Sequence, residues 1–272
     1  MAEVSDDQRW TCVQLSDLHI VKAGRLLGGL IDTAGHLQQA LAVLGDLRPR
    51  PDLVLITGDL VNDGHPLQYE HLRTLLADLD LPWRLATGNH DDPSALLEAF
   101  PDHPHASATG KVDHVDEGTV RVIVLDDNVP GQPGGDLTDA QLAWLDERLA
   151  EAPNAPTLVA LHHPPFPTGI DHMDEMALDG AASGALARVI GRHPQVERVL
   201  CGHLHRTITT RWAGTLAMTA PSTAMAVALE LRPDGPAGWT PEPPQALVHV
   251  WSSSLGLVSH HLPLVAHPVT GF

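Results

Sequence analysis

The chain has 272 residues, of which 43% are hydrophobic and 18% are charged, a balance that supports a buried core and excludes disordered, coiled-coil and collagen-like proteins. Its formal net charge of -18 has the wrong sign for a protein that holds nucleic acid by the phosphates. No apolar run reaches the roughly 18 residues of a membrane span, so we expect neither a nucleic acid nor a membrane as partner.

Short apolar runs typical of strands alternate with helical stretches through most of the chain. The pattern predicts strands at 11–15, 53–57, 83–87, 120–125, 157–161 and 196–201, and helices near 36–47, 67–79, 138–150 and 183–193. Thr138 with Gln141 three residues later forms a capping box, which marks the start of the third helix. Alternation of this kind is typical of an α/β fold.

The helices stop after residue 206. Strands are predicted at 207–211, 216–219, 226–231, 246–251 and 257–262, and we expect them to form a second, antiparallel part of a layered sheet structure. Segment 233–244 holds five prolines and two glycines, which indicates a surface loop or a contact arm for a partner subunit. We expect one domain over 1–272, with the site on 10–206 and the C-terminal strands on 207–272.

Two features bear on the cellular compartment. The first residues, Met1 to Asp7, are acidic and lack the basic and apolar regions of a signal peptide. Cys12 and Cys201 lie inside apolar runs, so we expect buried thiols and no disulfide. Both features predict a cytoplasmic protein.

Five of the predicted strands are followed at once by residue types that bind metal ions. In open α/β sheets, ligands bind at the carboxyl ends of strands, where separate loops converge. One site could therefore collect all five groups, which are Asp17 and His19; Asp59; Asn89, His90 and Asp91; His162 and His163; and His203 and His205.

The spacing within these groups suits metal binding. Asp17 and His19, like His203 and His205, are two residues apart, so in extended backbone both members of a pair project to the same side. A glycine directly before Asp59 lets the chain turn sharply beside an ion. Carboxylate, amide and imidazole ligands suit Mn, Fe, Co or Zn. A single pair of this kind is usually incidental, but five groups in this order are not.

The remaining histidines carry little information. The chain has 18 histidines. Those without a shared spacing are expected to fill surface or core positions, and they are His36, His65, His71, His103, His105, His114, His193, His249, His260, His261 and His267.

The motifs of residues 12–206 resemble the signature of the calcineurin-like metallophosphoesterases. The motifs that carry the resemblance are Asp17-Leu18-His19, Gly58-Asp59, Gly88-Asn89-His90-Asp91, His162-His163-Pro164-Pro165 and Gly202-His203-Leu204-His205. The sequence around them, including residues 50–54, 58–62 and 173–174, is most similar to the bacterial class III cyclic-nucleotide phosphodiesterase and glycerophosphodiesterase branch. The resemblance implies a four-layer αββα sandwich with two mixed β-sheets flanked by helices.

The resemblance also implies two divalent metal ions, identified only as Mn, Fe, Zn or Co. Asp59 would bridge them. The first would be held by Asp17, His19, Asp59 and His205, and the second by Asp59, Asn89, His162 and His203.

Three neighbours of these ligands have roles that follow from the same resemblance. His90 matches the catalytic histidine, placed to contact a phosphoryl oxygen or the leaving group. His163 is not a ligand in this scheme and would pack beside the ligands or support one of them. Asp91 would orient the His90 imidazole or stabilise its turn.

Elementary chemistry explains why such a site needs metal ions. A phosphodiester is an anion that resists attack, and a protein of net charge -18 needs local positive charge to receive it. Two dications supply that charge and lower the pKa of a bridging water, so that hydroxide is available for in-line attack. His90 could assist departure of the alkoxide, a contribution of roughly 10²- to 10⁴-fold.

Substrate contacts are less evident from the sequence. Segment 168–176 carries three acids and is either a wall of the pocket or an ordinary connecting loop. Met225 stands where glycerophosphodiesterase-like relatives place a histidine. Its side chain either offers an apolar surface to an organic group of the substrate or packs in the core. Asn62 and Met225 join His90 as candidate substrate-binding residues.

We therefore predict a dinuclear-metal phosphodiesterase acting on small diesters, with 3',5'-cyclic nucleotides such as cAMP as first candidates. The alternatives are a broad glycerophosphodiester phosphodiesterase, a phosphomonoesterase or nuclease with the same site, and a non-catalytic metal-binding scaffold. The branch also implies a homo-oligomer, at least a dimer, formed through the C-terminal strands or segment 233–244.

Overall fold

Two β-sheets packed face to face form the centre of the molecule. The computed structural model describes residues 9–105 and 108–265. In chain order its elements are β1 (Arg9–Leu15), α1 (Thr33–Asp46), β2 (Leu53–Thr57), α2 (Pro66–Leu76), β3 (Trp83–Ala86), α3 (Pro93–Ala99), β4 (His114–Asp116), β5 (Arg121–Val124), α4 (Asp139–Glu151), β6 (Thr157–Ala160), α5 (Asp171–Asp174), α6 (Gly180–Ile190), β7 (Val196–Cys201), β8 (Thr209–Trp212), β9 (Thr215–Thr219), β10 (Ala226–Val227), β11 (Trp239–Thr240), β12 (Gln245–Ser252) and β13 (Gly256–Pro263).

Both sheets are mixed. The first has the order β13-β12-β1-β2-β3, in which β1, β2 and β3 run parallel and β12 is antiparallel to both of its neighbours, β1 and β13. The second has the order β4-β5-β6-β7-β9-β8, in which β5, β6, β7 and β9 run parallel and the two edge strands are antiparallel. Within each sheet, the carboxyl ends of the parallel strands therefore reach one edge.

Helices cover the outer faces of both sheets. Side chains on β1 alternate in direction: Val13 and Leu15 pack with α1, α2 and α3, whereas Trp10 and Cys12 lie in the apolar layer between the sheets. The second sheet alternates in the same way, with α4 and α6 on its outer face. Strands buried on both faces read as continuous apolar runs, as the sequence shows. The predicted αββα sandwich with two mixed sheets is confirmed.

Local sequence explains where the longer helices begin. Thr138 and Gln141 form the predicted capping box of α4, in which the threonine side chain accepts from the Gln141 N–H at 3.2 Å. The Asp32 carboxylate accepts from the Gly35 N–H at 2.9 Å and caps α1 in the same manner.

The C-terminal strands pair antiparallel, β8 with β9 and β12 with β13, as expected, but the expectation that they form a second part of the sheet structure is wrong. Strand β9 runs parallel to β7 inside the second sheet, and β12 pairs with β1 in the first. The physical reason is that β1 and β7 are buried central strands, whose backbone groups require hydrogen-bonding partners on both sides. This interleaving supports the prediction of one domain over 1–272, which stays a prediction.

The strand predicted at 226–231 is also wrong in extent. Only Ala226 and Val227 are paired, and their partners Thr240 and Trp239 lie inside segment 233–244, which was expected to be a loop. Helices α3 and α5 and strand β4 were not predicted, since at three to seven residues each is too short for its periodicity to show.

Cys12 and Cys201 are buried and free, as the sequence predicts. No helix within the ranges 9–105 and 108–265 combines the length and apolar character that crossing a membrane requires. Residues Met1 to Asp7 and His267, on which two of the expectations rest, lie outside the described residues.

Candidate metal centre

The seven residues predicted as metal ligands lie where strands of both sheets end, and the structure brings the ligand atoms of six of them into two groups. Each lies in the turn that directly follows a strand, so the two sheets contribute ligands from opposite sides of the sandwich. The ligands are Asp17 and His19 after β1, Asp59 after β2, Asn89 after β3, His162 after β6, and His203 and His205 after β7.

The backbone of these turns is unusual. Among the described residues, seven other than glycine have positive φ, and five of those are predicted ligands: Asp17 (53°), His19 (45°), Asp59 (49°), His203 (68°) and His205 (51°). Positive φ is costly for residues with a Cβ and persists where the surrounding structure enforces it, typically at functional sites. The turns are therefore shaped to aim these side chains inward.

Four ligand side chains form a first group. The ligand atoms of Asp17, His19, Asp59 and His205 all lie within 4.8 Å of one another, and all four residues are buried. The Nε2 atoms of His19 and His205 are 3.2 Å apart, and His19 Nε2 is 3.6 Å from Asp59 Oδ2. Two carboxylates and two imidazoles at this separation match the first predicted metal set.

A second group lies on the other side of Asp59. His162 Nε2 is 3.4 Å from Asp59 Oδ2, and the rings of His162 and His203 are 5.2 Å apart. His163 is close enough to be grouped with them, but its Nε2 contacts the carbonyl of Pro133 at 3.1 Å and its Nδ1 lies 3.2 Å from Asp127 Oδ2. Both ring nitrogens of His163 thus face partners outside the cluster, which favours a supporting role for it.

Several buried atoms in the two groups have no hydrogen-bond partner in the structure. They include Asp17 Oδ2, His19 Nδ1, Asn89 Oδ1, His162 Nε2 and His203 Nε2. An unpartnered buried polar atom costs about 1 to 3 kcal/mol, so such atoms require compensation. Oxygen and imidazole donors of this kind are ligands for first-row divalent ions, and the residues therefore fit a pair of such ions.

Backbone carbonyls fix the direction of the imidazoles. His162 Nδ1 lies 2.8 Å from the Thr57 carbonyl, and His205 Nδ1 lies 2.9 Å from the carbonyl of Met225. Because a carbonyl only accepts, each Nδ1 carries a proton, so in the neutral ring the lone pair on Nε2 is directed at the cluster. The Met225 backbone thus positions a candidate ligand, while its side chain lines an adjacent cavity.

Asp59 controls the charge at the centre of the site. Burial alone would raise its pKa, but His162 and His19 hold the pKa of Asp59 well below its ordinary value. Burial alone would lower the pKa of His162, but the Asp59 carboxylate raises it to about 10. A cation that binds at Asp59 would replace the proton on His162, so metal binding is expected to release protons.

His90 lies at the exposed side of the site. Its Nδ1 contacts the Asn62 carbonyl at 2.7 Å, its backbone N–H donates to Asp59 Oδ1 at 3.0 Å, and its ring packs 4.7 Å from the His19 ring. The Asn62 side chain instead donates to Asp63 at 2.8 Å. The backbone of Asn62 therefore orients the imidazole.

Asp91 stabilises the turn. Its carboxylate accepts from the backbone N–H groups of Gly88, Leu60 and Val61 and from the Tyr69 hydroxyl. Burial, with the nearby charge of Asp59, raises the pKa of Asp91 to about 7. Of the two roles that the sequence left open for Asp91, the contacts favour the turn.

A cavity of about 710 Å³ opens beside His90. Its wall includes Asn89 and His90 from the site, and Ser94, His105 and Lys111 from the chain beyond it. No residue of segment 168–176 lines this cavity: Asp174 accepts from the backbone N–H groups of 168 and 169, and Ile170 and Met173 pack with Leu204 in the turn between two of the ligands. Its acids are therefore not assembled on this wall.

Sequence reasoning missed a sixth group at a strand end. Asp126, Asp127 and Asn128 follow β5 and are all buried. Asp127 accepts from the backbone N–H groups of His162 and His163, and Asn128 donates to the carbonyl of Asp91 at 2.9 Å. The signal was present, since polar residues follow a buried strand here as they do at the other five.

Comparison with known proteins agrees with this geometry. The family model described as calcineurin-like phosphoesterase matches residues 11–207. A protein of Arcobacter nitrofigilis named as a probable glycerophosphodiester phosphodiesterase is 34% identical over 249 residues, which cover 91% of each chain. The 3',5'-cyclic adenosine monophosphate phosphodiesterase of Escherichia coli is also 34% identical, over 82% of this chain and 79% of its own.

Among solved structures, a dimetal phosphatase from Danio rerio shares the fold. Its TM-score is 0.64 at 14% sequence identity, and the match covers 94% of this chain and 99% of that one. The motifs, the sandwich and the sequence relatives agree, and the chain belongs to the calcineurin-like phosphoesterase family, whose members are metal-dependent hydrolases of phosphoric esters.

Proposed function

We propose that the chain is a dinuclear-metal phosphodiesterase that hydrolyses small phosphodiesters. The observation that carries the proposal is the pair of ligand groups around one shared carboxylate, with unpartnered buried atoms on both sides of it. The first ion would be held by Asp17, His19, Asp59 and His205, and the second by Asp59, Asn89, His162 and His203.

The ions and the chain divide the chemistry. When bound, two dications neutralise charge on the phosphoryl oxygens and lower the pKa of the attacking water. Asp59 lies between the two groups, and its Oδ1 accepts from the backbone N–H of His90 at 3.0 Å. The backbone of the residue that handles the leaving group is thereby tied to the carboxylate at the centre of the site.

His90 is the residue we assign to the leaving group. The Asn62 carbonyl keeps one proton on Nδ1, so a second proton, when His90 is cationic, is carried by Nε2. Donation of that proton to the departing alkoxide is general acid catalysis. The ring stands at the rim of the 710 Å³ cavity, which has room for the alcohol portion of a small diester.

For the substrate we propose 3',5'-cyclic nucleotides, cAMP first, with glycerophosphodiesters as the second candidate. The name of the Escherichia coli relative supports the first, and the name of the Arcobacter nitrofigilis relative, which matches over more of its length, supports the second. Met225, which stands where glycerophosphodiesterase-like relatives place a histidine, favours the first.

The deciding measurement is a ratio of specificity constants on Mn²⁺-reconstituted protein, with a chelated sample as control. We expect kcat/KM for bis(p-nitrophenyl) phosphate to exceed that for p-nitrophenyl phosphate, and the activity to disappear with the chelator. A ratio below one would make the protein a monoesterase. Hydrolysis of cAMP and of glycerophosphocholine under the same conditions then separates the two substrate candidates.

We also propose a cytoplasmic homo-oligomer. The free thiols of Cys12 and Cys201 support a reducing compartment. Large apolar side chains are exposed around β10 and β11, at Leu229 (63%), Leu231 (60%) and Trp239 (47%), which supports self-association through this part of the chain. Light scattering of wild type and of Trp239→Ser tests it, and a monomeric wild type would remove the proposal.

A further inference from the structure

A buried glutamine lies between the two sheets, directly beneath the metal centre. Gln14 is on β1 and has no exposed surface. It follows Trp10 and Cys12 on the face of β1 that points into the layer between the sheets, where the neighbouring side chains include Leu55 and Leu200. A polar amide in an apolar layer is costly unless its hydrogen bonds are made.

The amide of Gln14 makes three hydrogen bonds to three different strands. Its Nε2 donates to Thr57 Oγ1 at 3.0 Å and to the carbonyl of Cys201 at 3.0 Å. Its Oε1 lies 3.0 Å from His249 Nε2 on β12. One side chain thus joins the last residue of β2 in the first sheet to the last residue of β7 in the second.

Both joined residues stand directly before ligand turns. Thr57 precedes the turn of Asp59, and its carbonyl receives His162 Nδ1 at 2.8 Å. Cys201 precedes the turn of His203. The position of the shared carboxylate relative to the ligands of the second sheet therefore depends on this cross-link.

A one-directional chain of donors fixes which way the Gln14 amide faces. Arg198 Nη1 donates to Ser259 Oγ, and Ser259 Oγ lies 2.7 Å from His249 Nδ1. With Nδ1 accepting, the proton of a neutral His249 is on Nε2 and points at Gln14 Oε1. Burial, with the charge of Arg198, lowers the pKa of His249 to about 3 and keeps the ring neutral. If the Gln14 amide were flipped, its NH₂ group would face the Nε2–H of His249, and two donors would meet without an acceptor.

We infer that Gln14 is a positioning residue for the second metal ion: its amide holds the turns of Asp59 and His203, from two separate sheets, at the separation that the second ligand set requires. The inference rests on the proposed dinuclear function. It goes beyond the ligand set, since Gln14 contacts neither substrate nor ion and acts through Thr57 and Cys201.

The test compares Gln14→Leu with a matched control, Val122→Ala. Leucine fills the space but leaves Thr57 and Cys201 untied. Val122 is fully buried in the same layer on β5, which carries none of the proposed ligands. Mn²⁺ binding to the metal-free proteins is measured by calorimetry, and the magnetic coupling of the two ions by electron paramagnetic resonance, at a temperature at which all variants are folded.

We expect Gln14→Leu to weaken binding of one ion by about 10-fold, the lower end of the cost of removing a direct partner of a metal ligand, because Gln14 acts one contact further out, while the other ion binds as in wild type. The coupled signal should fade, and Val122→Ala should retain both. Equal binding of both ions by Gln14→Leu and wild type, or equal loss of both ions in the two variants, overturns the inference.

A second variant guards against a failure to fold. Thr57→Val removes one hydroxyl at almost constant volume, and with it the Gln14 link to β2 and the contacts of that hydroxyl with Leu15 and Ser16, so the same selective weakening is expected while the link to Cys201 remains. Failure of the proposed function shows separately, as a wild type that binds fewer than two ions, and that result overturns both. If wild type binds two ions and hydrolyses diesters, and both variants bind the two ions as tightly as wild type does, only the role of Gln14 is overturned.

Discussion

Two pairs of buried histidines have similar ring geometry and opposite electrostatic surroundings. The rings of His162 and His203 in the metal centre are 5.2 Å apart at 75°. The rings of His103 and His114, in the first part of the chain, are 4.8 Å apart at 87°. Edge-on packing of two imidazoles is therefore not what makes a metal centre.

The difference lies in the neighbouring charge. In the metal centre, the Asp59 carboxylate overcomes burial and raises the pKa of His162 to about 10. At the other pair, burial and the guanidinium of Arg84 act in the same direction, and the pKa of His103 falls to about 4. Burial, with His103 beside it, lowers the pKa of His114 to about 3. Burial also lowers the pKa of His203 well below its ordinary value, so the Asp59 carboxylate makes a cation site of His162 alone. No carboxylate is among the causes at either member of the second pair, and both of its pKa values are lowered.

The largest effect is expected for Asp59→Asn, which removes the carboxylate that distinguishes the metal centre but keeps the shape of the side chain. We expect metal content to fall from two ions to at most one and kcat/KM for diesters to fall by about 10³-fold or more, because both ligand sets share this side chain. Elemental analysis and diester kinetics measure the two effects.

Asp116→Asn is the matched control, since Asp116 pairs with Arg84 next to the other histidine pair. It should keep both ions and nearly full activity. An Asp59→Asn protein with two ions and wild-type turnover would show that the carboxylate does not organise the site.

The next largest effect is expected for His90→Ala. His90 contacts Asp59 only through its backbone, so the variant should keep both ions and yet lose about 10²- to 10⁴-fold in kcat. His105→Ala alters the wall of the same cavity without touching the ligands and should change kcat/KM only slightly. Retained turnover with intact metal content would remove His90 from the mechanism.

Sequence reasoning could locate most of the site because its signals are local. A buried strand followed at once by Asp, Asn or His is visible in the chain, and parallel pairing then brings such strand ends to one edge. His162 and His203 were identified this way. The group after β5 was visible by the same signal and was passed over, so Asp127 and Asn128 were missed.

Other features depend on contacts between distant parts of the chain, which a local pattern does not reveal. The carbonyl of Asn62 that orients His90, and the amide of Gln14 that joins two sheets, are identified only by their partners. The prediction for the C-terminal strands was wrong in part for a similar reason, because a local pattern shows that a strand exists but not which strand it pairs with. His249 was placed among filler histidines, although it holds the Gln14 amide.

The lowered pKa values of His103 and His114 predict how the stability of the protein depends on pH. The folded-state pKa values of His103 and His114 are lowered, so below the ordinary histidine pKa the unfolded chain binds protons that the folded chain does not. The free energy of unfolding should therefore fall as pH drops from about 6.5 towards 4, by about 1.4 kcal/mol per pH unit for each of the two histidines.

His114→Phe removes one of these groups at similar volume. In urea unfolding between about pH 7 and about pH 5, with metal chelated in both proteins, the fall in unfolding free energy per pH unit should be smaller than in wild type, by up to about 1.4 kcal/mol near pH 5. An unchanged slope would mean that the pair accepts protons in the folded state, and the electrostatic contrast with the metal centre would then fail.

The smallest effect is expected at Asn62, a candidate substrate contact from the sequence. The His90 imidazole is held by the Asn62 carbonyl, and the Asn62 side chain is turned to Asp63. Asn62→Ala keeps that carbonyl, so kcat should stay within about threefold of wild type, far from the general-acid loss expected for His90→Ala. Steady-state kinetics on the diester measures the effect. A large rise in KM alone would show that the Asn62 side chain binds the substrate. A large fall in kcat would show that the orientation of the His90 imidazole depends on more than the Asn62 backbone.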